Sequence, residues 1–142
     1  MSGIKSGKIK YDSNLIGLIA LFESETGAKV KDCISNGRFI FIIEEAEMGK
    51  AIGRNGSNVK KMEKKLNKKI KLVEFNSDVL RFIRNILFPI TALDIDLNNE
   101  LVTIRAKDAN TKAMLIGRER HNINALTNIV KRHFNVKEIR VV

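Results

Sequence analysis

Apolar positions along the chain follow two rhythms that alternate and then repeat. Leu15, Ile16, Ile19 and Phe22 recur at helical spacing, with Asp12 or Ser13 ahead of them as a cap and Gly27 behind as a stop. Strands are predicted over 29–35 and 38–44, joined by Asn36-Gly37. That dipeptide suits a type I′ hairpin, in which both central residues take positive φ. Helical spacing returns over about 48–67, broken at Gly53-Arg54-Asn55-Gly56, and Val59, Met62 and Leu66 mark its buried stripe. A strand over 69–75 closes the series.

The second half keeps the order. Ser77 or Asp78 caps a helix with Leu80, Ile83 and Leu87 along one side, and Pro89 ends it because the residue before proline avoids helical geometry. Strands over 90–97 and 101–106 meet at Asn98-Asn99. Asp94-Ile95-Asp96-Leu97 alternates, which puts one face in water. A helix pair over about 110–134 and a strand over 136–142 complete the unit. Ile52-Gly53-Arg54 recurs 64 residues on as Ile116-Gly117-Arg118, and Asn58, Val59, Met62 and Leu66 match Asn122, Ile123, Leu126 and Val130 at the same offset. Upstream the offset is 62: Asp32, Asn36, Ile40 and Ile42 match Asp94, Asn98, Val102 and Ile104. The prediction is an α+β chain of two units, 1–76 (with a basic tail over 1–10) and 77–142, each ordered α-β-β-α-α-β around a three-stranded sheet.

Composition narrows the partners. With 44% hydrophobic residues among 142, the chain has enough for a core and is not compositionally disordered. Its net charge of +10 attracts polyanions, nucleic acid before an anionic membrane surface or an acidic protein. Lys50, Arg54, Lys60, Lys61, Lys64, Lys65, Lys68, Lys69 and Lys71 stand against Glu63 alone, so this one window carries +8. A lysine-rich solvated face is the bland explanation of such a run. Cys33 is the only cysteine, which leaves no intramolecular disulfide, and a small residue in a strand is its expected role. Lys5, Lys8 and Lys10 before an apolar run resemble a signal peptide, but Asp12, Glu23 and Glu25 oppose it and the run is too short to span a bilayer. A cytoplasmic protein with no membrane association is expected.

The glycine turn is where chemistry gathers. Glycines let the backbone bend sharply and let another backbone come close. The helix that follows offers unpaired amides and a positive dipole end to an anion. Arg54 adds a forked cation and Asn55 neutral hydrogen bonds, a set that suits a phosphodiester. Alone, G-x-x-G is common by chance. Here it lies between helices, follows the apolar Ile52 and opens the most basic window.

Two helices joined by Ile52-Gly53-Arg54-Asn55-Gly56 beside a three-stranded sheet resemble a KH domain. The element order resembles the type II, prokaryotic form, and two such units filling the chain resemble the archaeal NusA-like transcription factors. That resemblance implies tandem KH domains, with Gly53, Arg54, Asn55 and Gly56 on the phosphates of about four nucleotides. It implies an apolar floor from Ile52, Val59 and Ile70 or Leu72, flanked by Lys50 and Lys60. For Ile52 and Val59, plain core packing is at least as good an explanation. Replacing Gly53 and Gly56 by aspartate is expected to abolish RNA binding and leave the fold intact. The partners implied are single-stranded RNA and RNA polymerase, the function transcription elongation or termination, and the protein a monomer. A ribosome-associated or ribosome-assembly RNA-binding protein is the alternative, and a scaffold for an acidic protein a third. Single-stranded DNA stays open as a ligand, because the clamp holds phosphates and offers no reader of the ribose hydroxyl.

The second turn departs from the pattern. It reads Gly117-Arg118-Glu119-Arg120, with Arg120 in place of glycine and a carboxylate at Glu119. Arg120 disfavours positive φ and Glu119 repels phosphate. Yet Arg118, Arg120 and His121 keep the neighbourhood basic. Weaker or different binding by Gly117, Arg118 and Arg120 is expected, with a purely structural duplicate as the competing explanation. No catalytic constellation stands out, and no enzyme, cofactor or metal is expected. His121 and His133 pair with nothing at a telling spacing, His133 suits a helix end for dipole reasons, and Asp94 with Asp96 suits an exposed strand face.

Overall fold

The first helix stops where its glycine says it should. In the computed structural model, which describes residues 13–142, α1 spans Ser13–Thr26 and Gly27 follows with φ 75°, its amide bonded to Glu23 O at 2.9 Å. The basic tail expected over 1–10 and the side chains offered as the first cap, Asp12 and Ser13, lie outside the described residues. Phe22 is fully buried, whereas Ile16 is 53% exposed. Leu15, Leu18, Ile19 and Phe22 form the inward stripe, at i, i+3, i+4 and i+7, and Ile16 falls off it.

β1 (Val30–Asn36) pairs antiparallel with β2 (Arg38–Ile43), and β2 pairs parallel with β3 (Ile70–Glu74), so β2 is central. A parallel pair needs a crossover, and α2 (Met48–Ile52) and α3 (Ser57–Leu66) supply it. The hairpin is not the type I′ turn expected. Asn36 pairs with Arg38, so the tip is Gly37, and of the two turn residues only Gly37 takes positive φ. Phe22, Cys33, Phe41, Ile43, Ala51, Met62 and Ile70 make one core, with Val59, Leu66 and Leu72 packed against it. Phe22 stacks on Phe41 at 4.5 Å between ring centroids.

The chain divides between Asn76 and Ser77. α4 (Val79–Leu87) is capped by Asp78, whose Oδ1 accepts from the Leu80 amide at 3.0 Å. Its buried face is Val79, Phe82, Ile83 and Ile86 rather than Leu80, Ile83 and Leu87, because the aromatic at 82 takes the inward position. β4 (Asp94–Asn98) begins four residues later than expected, since β5 (Leu101–Arg105) ends opposite Asp94 and pairing starts there. The turn falls on Asn99 and Glu100, both with positive φ, one place beyond Asn98-Asn99. The register pairs Ile95 with Ile104 and Leu97 with Val102, keeping apolar residues on one face; a one-residue slip would turn them outward. α5 (Ala109–Ile116) and α6 (His121–His133) lead to β6 (Glu138–Val141), parallel to β5 and two residues shorter at its start than expected. His133, at the end of α6, is buried rather than exposed, with its ring edge-on to Phe82 at 6.0 Å. The fold class is therefore α+β, with two three-stranded mixed sheets in KH-like order. No helix among the described residues is long and apolar enough to cross a membrane.

The changed offset of the repeat has a local cause. The first unit has four residues between β2 and a five-residue α2; the second has three between β5 and an eight-residue α5.

Candidate nucleic-acid interface

α2 ends at Gly53, where φ 76° and ψ 171° define backbone that is essentially restricted to glycine. A Cβ there would lie 2.8 Å from Ser57 Oγ and 2.9 Å from both the side chain and the backbone nitrogen of Asn58. Asn58 Nδ2 donates to Lys50 O at 2.7 Å and ties the start of α3 to the end of α2. Asn55 (φ 55°) and Gly56 (φ 73°) then take left-handed conformations. Asparagine tolerates that region, and a Cβ on Gly56 would meet nothing within 4 Å. Two aspartates at Gly53 and Gly56 would thus not leave the fold intact, because position 53 has room for no side chain.

The tip presents Arg54 and Asn55 to solvent, with Gly53 and Gly56 half-buried. Ile52 is 39% exposed, a large apolar surface directly before the bend. Val59 and Leu72 are half-buried and Ile70 belongs to the core, so Ile52 is the floor residue with most free surface. Lys50 and Lys60 are exposed, and Lys50 Nζ lies 3.4 Å from a Glu47 oxygen.

Ion pairing divides the basic window. Glu25, on α1, takes Lys61 at 3.0 Å and Lys65 at 2.6 Å. Hydrogen bonds from Lys65 and then Lys61 hold the Glu25 carboxyl below its ordinary pKa. Lys69 Nζ stands 3.8 Å from Glu63, and Lys68 sits over the Phe39 ring at 5.0 Å. Among the described residues, Arg54, Lys60 and Lys64 have no carboxylate partner. The charge left over for a polyanion is therefore concentrated at the bend and along one side of α3.

The second turn follows the same path. Gly117 has φ 77° and ψ 168°, Glu119 φ 55° and ψ 30°, and Arg120 φ 63° and ψ 21°. A Cβ on Gly117 would meet the Asn122 side chain at 2.7 Å, and Asn122 Nδ2 donates to Met114 O at 2.8 Å. Arg120 does adopt positive φ, contrary to expectation, because the Gly117 bend before it and the Asn122–Met114 bond after it fix the path through residue 120. Left-handed backbone costs an ordinary residue roughly 1–2 kcal/mol. Arg120→Gly should therefore raise stability by about 1 kcal/mol, less than the full relief because glycine has more unfolded freedom to lose. Urea melts of the two chains check this, and an unchanged midpoint would mean the strain is absorbed elsewhere. Arg118, Glu119, His121, Asn122 and Asn124 line an open hollow of about 660 Å³. Gly117 is half-buried, and Arg118 and Arg120 are exposed.

Two contributors escaped sequence reasoning. Asn58 and Asn122 match at the repeat offset, which was the available signal for a shared structural bond. Glu25 lies on another element, and nothing local marks it as the acceptor for two α3 lysines. Among the described residues, no group of three or more His, Cys, Asp or Glu is placed to hold a metal ion.

The KH-domain family model matches residues 18–80. The chain is 37% identical over 139 residues to a Methanococcus vannielii protein named "Probable transcription termination protein NusA", covering 95% of this chain and 80% of that one. The Methanocaldococcus jannaschii protein of that name is 31% identical over 139 residues, covering 95% and 76%. The Thermoplasma acidophilum protein of that name is 28% identical over 142 residues, covering 97% and 99%. Among solved structures, the crystal structure of APE1850 matches with a TM-score of 0.72 at 27% identity, covering 93% of this chain and 100% of that one.

Proposed function

The chain belongs to the family of archaeal NusA-like KH proteins, and from that premise we propose that it binds single-stranded RNA in transcription elongation or termination, with RNA polymerase as its protein partner. The observation that carries the reading is the Gly53–Gly56 bend: its tip residues Arg54 and Asn55 are exposed, and among the described residues Arg54, Lys60 and Lys64 have no carboxylate partner. Glycine at 53 lets the bend form and glycine at 56 leaves open space at its far side, so a sugar–phosphate chain can lie close. Arg54 neutralises phosphate, Asn55 donates neutral hydrogen bonds, and Ile52 offers an apolar edge to a base. Gly117, Arg118 and Arg120 repeat the path in the second unit, but Glu119 sets a negative charge at the tip, so its contribution to RNA affinity is the smaller. The protein acts by binding, not by catalysis, in the cytoplasm, as a monomer.

Arg54→Asp with Asn55→Asp tests this without disturbing the bend, because Arg54 is exposed and aspartate tolerates the left-handed region. Setting like charge against phosphate costs several kcal/mol, so affinity should fall on the order of 100-fold. Fluorescence anisotropy measures it, with circular dichroism as the control for folding. Unchanged affinity in a folded variant would end the proposal. Affinity purification addresses the partner: polymerase subunits support the reading, and ribosomal particles would move the protein to the ribosome-associated alternative.

A further inference from the structure

The unpaired cations do not stop at the bend. Lys60 and Lys64 stand one helical turn apart on α3, on the side adjoining that of Lys61 and Lys65, which Glu25 holds. Asn67 then takes a left-handed conformation (φ 52°), and the Lys68 amide closes the helix end on Glu63 O at 3.2 Å. Beyond it, Glu63, Lys64, Asn67, Lys68 and Lys69 line an open hollow of about 400 Å³. In this hollow Glu63 is already engaged, its Oε2 accepting from the Ile70 amide at 3.0 Å and its Oε1 3.8 Å from Lys69. The Phe39 ring beneath Lys68 holds that ammonium at the surface.

We propose that Lys60, Lys64 and Lys68 form a track that carries the RNA backbone from the glycine bend along α3 to the hollow at 67–69, adding about three phosphate contacts to those of the turn. The inference rests on the reading that the turn binds RNA. The step from Lys60 to Lys64 is four helical residues, a rise of about 6 Å, which matches the spacing of successive phosphates on an extended strand, and Lys68 follows just past the helix end. A solvated face kept for solubility would have no reason to leave Lys60 and Lys64 without a carboxylate among the described residues while Lys61 and Lys65, on the adjoining side, are clamped by a carboxylate from another helix.

The test uses the full chain and fluorescein-labelled random-sequence single-stranded RNA of four, eight and twelve nucleotides, over a salt series. Unaltered protein should gain affinity from four to eight nucleotides and little beyond. The triple variant Lys60→Gln, Lys64→Gln, Lys68→Gln should lose the gain at eight, while its four-nucleotide binding weakens only by the Lys60 contact beside the turn. Its plot of log affinity against log salt should be shallower by about 2, since each single-strand phosphate contact contributes about 0.7. A Lys61→Gln, Lys65→Gln chain should keep both the gain and the slope. A triple variant that keeps both overturns the track. Failure of the underlying reading looks different: the Arg54→Asp, Asn55→Asp chain would then bind four nucleotides as well as unaltered protein does. Unaltered protein that binds RNA of no length would overturn both.

Discussion

A chain carrying Gly53→Ala is expected to lose about 3 kcal/mol of stability in its first unit, the largest effect of any glycine replacement there. Two independent terms add. The backbone at φ 76°, ψ 171° is closed to side chains, and the new methyl would sit 2.9 Å from the Asn58 backbone nitrogen, an atom that cannot swing aside. Gly56→Ala is the matched control. It meets no atom within 4 Å and suffers only the left-handed penalty, roughly 1–2 kcal/mol. Urea denaturation followed by circular dichroism separates them. Equal losses at 53 and 56 would show that the close approach at Asn58 is not what fixes the bend. RNA affinity of the folded fraction should also fall in the Gly53 variant, because opening the bend breaks the Asn58 bond to Lys50 O and moves Arg54.

The two turns explain which parts of the site the sequence makes legible. Both follow one backbone path to within about 10°, although one uses Asn55 and Gly56 and the other Glu119 and Arg120. What they share is the first glycine and an asparagine five residues later, bonded back to the carbonyl three residues before that glycine. The motif was readable as a bend because glycine is the only residue that fits position 53 or 117. Its persistence with Arg120 was not readable, because propensity at one position is overridden by a tertiary bond whose donor lies outside the four-residue motif. The same limit explains the hairpins. Asn36-Gly37 carries the local signature of a two-residue turn and forms a tip at Gly37 alone, while Asn99 and Glu100 lack glycine and both take positive φ. In each case the register of buried strand residues decides, and that register is a property of the pair of strands. The α3 lysines show it for charge: nine cations in one window are visible in sequence, but Glu25 on α1 decides which of them stay unpaired.

α1 is therefore a brace for the interface as well as a layer of the core, and Phe22→Ala is the substitution that tests it. Phe22 is fully buried and stacked on Phe41 of the central strand at 4.5 Å. Truncating a buried phenylalanine removes its apolar burial and leaves a cavity, at about 3–5 kcal/mol. That is a large part of what a small domain holds in total. The helix also carries Glu25, which clamps Lys61 and Lys65, and Glu23, whose Oε2 accepts from the Val30 amide at 2.8 Å to start the sheet. Loosening α1 thus frees both lysines and the edge of β1 together. The expected result is a fall of several degrees or more in the melting temperature of the first unit, with RNA affinity preserved only well below the transition. Phe22→Leu, which keeps most of the apolar volume, should recover most of the loss. A Phe22→Ala chain as stable as the unaltered one would mean that α1 is dispensable to the sheet and helices that present the bend.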